Sequence, residues 1–337
     1  MKVENFEHRH AGHCETGVTS SLLRHYGVEL SEPMALGLSA SLTFFHFPFV
    51  KVGGFPITAY RMPPGSVYGG LRKALGLTMR KQRFGDPDAA MAALDAELAG
   101  GRPVGLQASV YWLPYFPPEM RFHFNAHNLI VYGKDGDDYL ISDPVFDQPQ
   151  RCAAADLRKA RYARGTFAPK GLLYFPQALP AQFDLRAATQ RAIGKTWKMM
   201  LHTPVPYVGV RAIEALARRI ETLARKNPDL RWQRLFVGNV IRMQEEIGTG
   251  GGGFRFMYAA FLQEAGERLD EPALRAAAQR MTDCGDAWRR FALAGAHFAR
   301  KKPDVTPARL AALLRECAAQ ERANYEALKA WSKARAA

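Results

Sequence analysis

The 337-residue sequence predicts an α+β domain over residues 1–180 followed by an all-α helical domain over 181–337. Three observations carry this prediction. Early in the chain, helical and strand-like patterns are short and are punctuated by many Pro and Gly residues. Within that part the helices come first, and the alternating apolar segments come late and close together, as in an antiparallel sheet set beside helices. Beyond YFPQALPAQFDL, residues 174–185, the composition turns rich in Ala, Arg and Leu with a sustained helical period.

The elements follow in order. Residues 15–26 read as an amphipathic helix, as do 67–76 and 87–99. Asp86 stands at the N-cap position of the third, ahead of Pro87 at its first turn. The period then changes: RPVGLQASV, HNLIVYGKDG and DYLISDP read as strands, and a Lys-Asp-Gly-Asp turn joins the last two as a hairpin. In the second part, 186–200, 207–226, 229–247, 254–268, 271–298 and 306–334 read as helices. They are bounded by Pro204, Pro206, Pro228, Pro272, Pro303 and Pro307, and the last turns of 320–337 are expected to fray.

A hydrophobic content of 47% suits ordinary packed cores. Four cysteines, Cys14, Cys152, Cys284 and Cys317, lack the spacing of a zinc site or of a small disulfide framework, so no metal is expected and a reducing compartment fits. The N-terminal segment lacks the basic-then-apolar pattern of a signal peptide and no stretch approaches the length of a membrane span, so the expected location is the cytoplasm. Net charge is +14: residues 1–180 hold 19 basic and 16 acidic side chains, whereas 181–337 hold 27 and 16. Such an excess attracts an acidic protein, an anionic lipid or a nucleic acid, or simply covers solvated helix faces. No nucleic-acid motif accompanies it, and nucleic acid is not an expected partner.

Cys14 lies in FEHRHAGHCETGVTSSLLRHYG, residues 6–27, where the first helix opens. A free cysteine is more often a small buried apolar residue than a nucleophile. A helix N-terminus lowers a thiol pKa through its dipole, however, and an imidazole held by a third polar group completes a nucleophilic site. FNAHNLIVYGKDGDDYLISDPV offers such a pair, with His127 opening one strand of the hairpin and Asp143 closing the other. The two ends of a hairpin are neighbours, so Asp143 can accept a hydrogen bond from the His127 ring and fix its tautomer.

A cysteine at a helix start, a histidine at a strand start and an aspartate after the next strand together resemble the papain-like fold over about residues 6–175, especially its bacteriocin-processing peptidase branch. More narrowly, GHCETGVTSSLLRHYG, AHNLIVYGKDGDDYLISDP and GTGGGGFRFMYAAFLQEA are similar to the butirosin-biosynthesis acyltransferase family over nearly the whole chain. That resemblance implies a papain-like domain ahead of a helical one. It also implies transfer of an acyl group from an acyl carrier protein or other thioester donor, through an acyl-Cys14 intermediate, to a small amine. No cofactor of the enzyme's own is implied, phosphopantetheine being a feature of the donor. In one place the chain departs from the papain-like pattern: the position six residues before the nucleophile, usually Gln, is His8, which becomes the candidate side-chain donor to the oxyanion beside the Cys14 N–H.

Two aromatic segments, 39–65 and 110–127, are candidate pocket walls, and the first reads equally well as a packed seam between the domains. Tyr111, Trp112, Tyr115 and Phe116 in the second lead straight to His127. Gly250, Gly251 and Gly252, with Arg255, form a glycine-rich approach to a helix that could hold a carboxylate or phosphate of substrate or carrier arm, or serve as a hinge. They match neither a phosphate-binding P-loop nor a dinucleotide fingerprint. Two alternatives to acyl transfer stand: a cysteine peptidase or amidase using the same triad with water as acceptor, and a basic binding protein with an inactive papain-like part.

Overall fold

The computed structural model describes residues 1–180, 182–301 and 305–335. Pro303 and the last two residues, named above as a helix boundary and a fraying end, lie outside the described residues. In chain order the elements are α1 (Cys14–His25), α2 (Glu32–Leu38), β1 (Leu42–Val52), β2 (Phe55–Arg61), α3 (Ser66–Leu75), β3 (Thr78–Gln82), α4 (Pro87–Ala99), β4 (Val104–Ala108), β5 (His127–Asp135), β6 (Asp138–Ser142), β7 (Gln150–Ala153), α5 (Ala154–Arg161) and β8 (Leu173–Ala178). The helical part continues with α6 (Leu185–His202), α7 (Val210–Glu221), α8 (Leu223–Lys226), α9 (Leu230–Glu245), α10 (Arg255–Arg268), α11 (Pro272–Ala299) and α12 (Pro307–Ala334).

The chain forms two compact units, one of residues 1–35 and 67–183, the other of 36–66 and 184–337. The first is α+β. Its sheet is antiparallel, with strand order β3-β8-β4-β5-β6-β7. Side chains alternate across a strand, and β5 uses this to serve two cores. Ile130 and Tyr132 pack with Val18 and Leu22, one turn apart on α1, and with Tyr68, Leu172 and Tyr174. Leu129 and Val131, on the other face, pack with Leu94 and Leu98 of α4, Leu106, Ile141 and Leu157. α4 begins as expected, the Asp86 carboxylate accepting the Ala89 N–H at 2.7 Å with Pro87 in the first turn.

α1 is built of small residues for a geometric reason. A Cβ on Gly17 would stand 2.6 Å from the Ala11 Cβ and 2.9 Å from that of Pro144, closer than side chains approach. The Ala11 N–H also donates to the Pro144 carbonyl at 2.8 Å. The segment before Cys14 is thereby tied to the residue following Asp143.

The second unit is all-α apart from the β1–β2 hairpin. The aromatic segment 39–65, expected among the first 180 residues as a pocket wall or seam, is mostly this hairpin and groups with the helices. Within the second unit Gly209 N–H donates to Phe44 O at 2.7 Å and His46 N–H to Tyr207 O at 3.0 Å. Phe44 and Tyr60 pack on Trp288 of α11. Asp184, Asp229 and Thr306 cap α6, α9 and α12 through their side-chain oxygens. The helix expected over 207–226 is broken into α7 and α8 at Thr222, whose hydroxyl donates back to Arg218 O at 2.9 Å.

Candidate active site

Cys14 is the first residue of α1, and the loop ahead of it is held by a carboxylate. Glu32 of α2 accepts from the Gly12 N–H at 2.9 Å, the His13 N–H at 2.6 Å and the Thr16 hydroxyl at 2.7 Å. His13 is the N-cap, its Nδ1 accepting from Thr16 N–H at 3.3 Å. The backbone around the thiol is thus fixed on both sides of the helix start. Cys14 keeps 9% of its surface exposed, against 1%, 0% and 0% for Cys152, Cys284 and Cys317. Burial pushes the Cys152 thiol up to about 12 and raises those of Cys284 and Cys317 further, so these three are inert packing residues.

The hairpin of β5 and β6 brings the other two residues together. His127 Nε2 and Asp143 Oδ2 are 2.7 Å apart, with His127 4% and Asp143 0% exposed. Asp143 is itself held from three sides, since Oδ2 also accepts the Tyr115 phenol at 2.9 Å and Oδ1 accepts the Val145 N–H at 3.1 Å. Burial by itself lowers the His127 pKa, but the charge and hydrogen bond of Asp143, with a hydrogen bond to Cys14 and its charge, outweigh it and raise the value to about 10. With Nε2 committed to Asp143, Nδ1 is the nitrogen left for the Cys14 sulfur. A protonated imidazole between a thiol and a carboxylate is the arrangement in which a thiolate persists near neutral pH.

The aromatic candidates divide. Tyr115 donates to Asp143, and burial, then the same carboxylate, holds its phenol well above the ordinary value. Phe116 packs edge-on against the His127 ring at 5.4 Å. Both support the His-Asp pair. Tyr111 and Trp112 lie exposed, Tyr111 stacked on His123 at 4.1 Å and Trp112 beneath the Lys159 ammonium at 5.7 Å.

Three other expectations meet a different geometry. His8 has both nitrogens engaged: Nε2 donates to Phe146 O at 2.9 Å, and Nδ1 pairs with the Ser142 hydroxyl at 2.8 Å. A carbonyl only accepts, so the Nε2 proton is spent there, and His8 pins the loop after Asp143 instead of facing an oxyanion. In the helical unit, Arg255 is fully buried. Its Nε and Nη2 pair with Glu321 at 2.8 and 3.1 Å, and Nη1 donates to Gly253 O at 2.7 Å. Gly250, Gly251 and Gly252 have φ of +69°, +82° and +55°, and the Gly252 N–H points at the Glu245 carboxylate, 3.2 Å from Oε1. The loop and the arginine therefore satisfy carboxylates of the chain itself.

Asn128 is the residue at the site that sequence reasoning passed over. Its Nδ2 lies 3.9 Å from Cys14 Sγ and 3.1 Å from Ala126 O, while its Oδ1 accepts the Tyr174 phenol at 2.8 Å. Alternation along β5 places it on the face opposite His127, the face on which α1 packs, and nothing local in the sequence says that α1 lies there. Glu32 was equally silent, being 18 residues beyond the thiol. Among the described residues no cluster of His, Cys, Asp and Glu is placed to hold a metal ion, and no helix is long and apolar enough to cross a membrane.

The family model described as Butirosin biosynthesis protein H, N-terminal, matches residues 13–144, a span that contains Cys14, His127 and Asp143. The one described as Domain of unknown function (DUF4872) matches residues 155–328, just over half of the chain. Among curated proteins no significant match was found. Among solved structures, the chain is similar to a Bacillus anthracis protein described as a C39-like peptidase, at 12% identity, 53% of this chain, 98% of that chain and a TM-score of 0.38. The chain belongs to the DUF4872 family, whose model covers residues 155–328, and ahead of it residues 13–144 match the N-terminal model of butirosin biosynthesis protein H.

Proposed function

We propose that the protein is an acyltransferase that moves an acyl group from a thioester, carried on an acyl carrier protein, to a small amine. The observation that carries this reading is Cys14 at the head of α1, hydrogen-bonded to a His127 whose far nitrogen is held 2.7 Å from a buried Asp143. The Cys14 thiolate attacks the thioester carbonyl and forms a new carbon–sulfur bond. The oxyanion is received by the Cys14 N–H, and the donor thiolate leaves with the proton of the His127 imidazolium. Neutral His127 then takes a proton from the attacking amine, an amide forms, and Cys14 departs as thiolate, restoring the ion pair. A thioester is already activated, so alignment and exclusion of water are what the protein must supply. Exposed Tyr111 and Trp112 offer apolar surface to an acyl chain.

The biosynthetic family description favours transfer over hydrolysis. Charge favours an acidic donor protein: α6 has no acidic residue, and Arg191, Lys195, Lys198 and His202 line one groove of about 760 Å³ on it. The test gives the enzyme one acyl group on a carrier protein and on a small thioester, at low and high salt, with an amine present, and measures amide against free acid. Amide as the main product, with kcat/KM for the carrier-bound donor falling more steeply with salt than for the small one, is expected. Free acid from both donors whatever the amine would make the protein a hydrolase, and equal salt sensitivity would remove the docking argument.

A further inference from the structure

We propose that Asn128 is a catalytic residue: its amide donates to the Cys14 sulfur and holds it as the thiolate. The inference concerns the same site as the acyltransferase reading, but applies to any chemistry that begins with this thiol.

The orientation of the amide is set by its partners. Ala126 O, 3.1 Å away, can only accept, so the atom facing it is Nδ2. On the other side the Tyr174 phenol, 2.8 Å from Oδ1, donates; burial, then the Glu15 carboxylate, keeps that phenol protonated far above neutral pH. One Nδ2 hydrogen goes to Ala126 and the second is left for Cys14 Sγ at 3.9 Å, the long end of the range for a sulfur acceptor. Tyr174 is in turn fixed by stacking on Tyr68, ring centres 4.7 Å apart, and by the absence of a side chain at residue 105, where a Cβ would stand 2.8 Å from the tyrosine ring. A chain of contacts from Gly105 through Tyr174 to Asn128 therefore ends on the reacting atom.

Two consecutive residues of β5 reach Cys14 from opposite faces of the strand, His127 with a proton to exchange and Asn128 with a proton it never gives up. The amide of Asn128 takes the place that His8, committed to Ser142 and Phe146, leaves open. When the sulfur attacks a carbonyl carbon, negative charge passes to the oxygen one bond further on, within reach of the same donor and of the Cys14 N–H.

The test is the pH profile of Cys14 alkylation by iodoacetamide in the intact protein, which needs no acyl donor and is independent of the proposed reaction. Asn128→Leu keeps the shape and removes the donor; Asn128→Asp replaces it by a negative acceptor; Tyr174→Phe leaves the amide but removes its lock. The profile should move to higher pH by about one unit in Asn128→Leu, with alkylation near neutral pH slower by about tenfold. It should move further in Asn128→Asp and less in Tyr174→Phe. A folded Asn128→Leu protein, with the wild-type melting temperature and an unmoved profile, would overturn the proposal. If that variant does not fold, an unmoved profile in Tyr174→Phe would overturn it instead.

Discussion

Asp143→Asn is expected to slow formation of the acyl-enzyme by about 10³–10⁴-fold while leaving the protein folded. The asparagine retains an oxygen for the Val145 N–H, so the turn after β6 keeps its hydrogen bond. What it loses is the charge that opposes the burial of His127. Burial lowers that pKa and Asp143 is the largest influence raising it, so in the variant the imidazole falls from about 10 toward its ordinary range. The ion pair with Cys14 then relaxes to a neutral thiol and imidazole, and thiolate appears only under alkaline conditions. Stability follows the same shift. A raised folded-state pKa on a histidine contributes stability that is complete below pH 6.5 and fades as pH rises through about 10. The wild type should therefore lose part of its margin over the variant between those values, and melting curves across that range check it. An Asp143→Asn protein that acylates at the wild-type rate would remove Asp143 from the machinery.

The second large effect is on stability and lies in the helical unit. Glu321→Leu is expected to cost about 3–5 kcal/mol, because it strands a guanidinium in an apolar interior. Glu321 and Arg255 are both fully buried, and Glu321 Oε1 also accepts the Trp288 indole N–H at 2.5 Å. Arg255 lies over the faces of Trp288 and Tyr60 at 5.3 and 5.7 Å, so no water is at hand to replace the lost carboxylate. Breaking a buried pair costs far more than replacing both members, so the double variant Arg255→Met/Glu321→Leu should recover most of the loss. Chemical denaturation of the two variants reads this directly. A residue that binds a substrate anion would behave otherwise, its loss raising KM with the unfolding midpoint unchanged.

The features legible in the sequence were those decided by local pattern. α1, α4 with its Asp86 cap, the β5–β6 hairpin and most of the helical unit follow from apolar periodicity and from capping residues within a few positions. β3 was hidden because an edge strand of mostly exposed polar residues, TMRKQ, has no apolar alternation to show. β1 does alternate, with Phe45, Phe47 and Phe49 on one face, but Pro48 within the run and the surrounding Pro and Gly made it read as a loop. In the site, His127 and Asp143 could be paired because a short hairpin joins them. Of the partners distant in sequence, Cys14 joined this pair only through the family resemblance, and others had no signal: His8 meets Ser142 134 residues away, Arg255 meets Glu321 66 residues away, and Asn128 meets Cys14 across 114. A glycine run next to an arginine looks like an anion site until the carboxylates that fill it are placed, and only the tertiary structure places Glu321.

Covalent capture on Cys14 tests the central claim most directly. Intact-protein mass spectrometry after mixing wild type and Cys14→Ala with a panel of acyl thioesters should show a single acyl adduct in the wild type, none in the variant, and loss of the adduct with formation of amide when an amine is added. Folded wild-type protein with an alkylatable thiol and no adduct from any thioester would contradict the account.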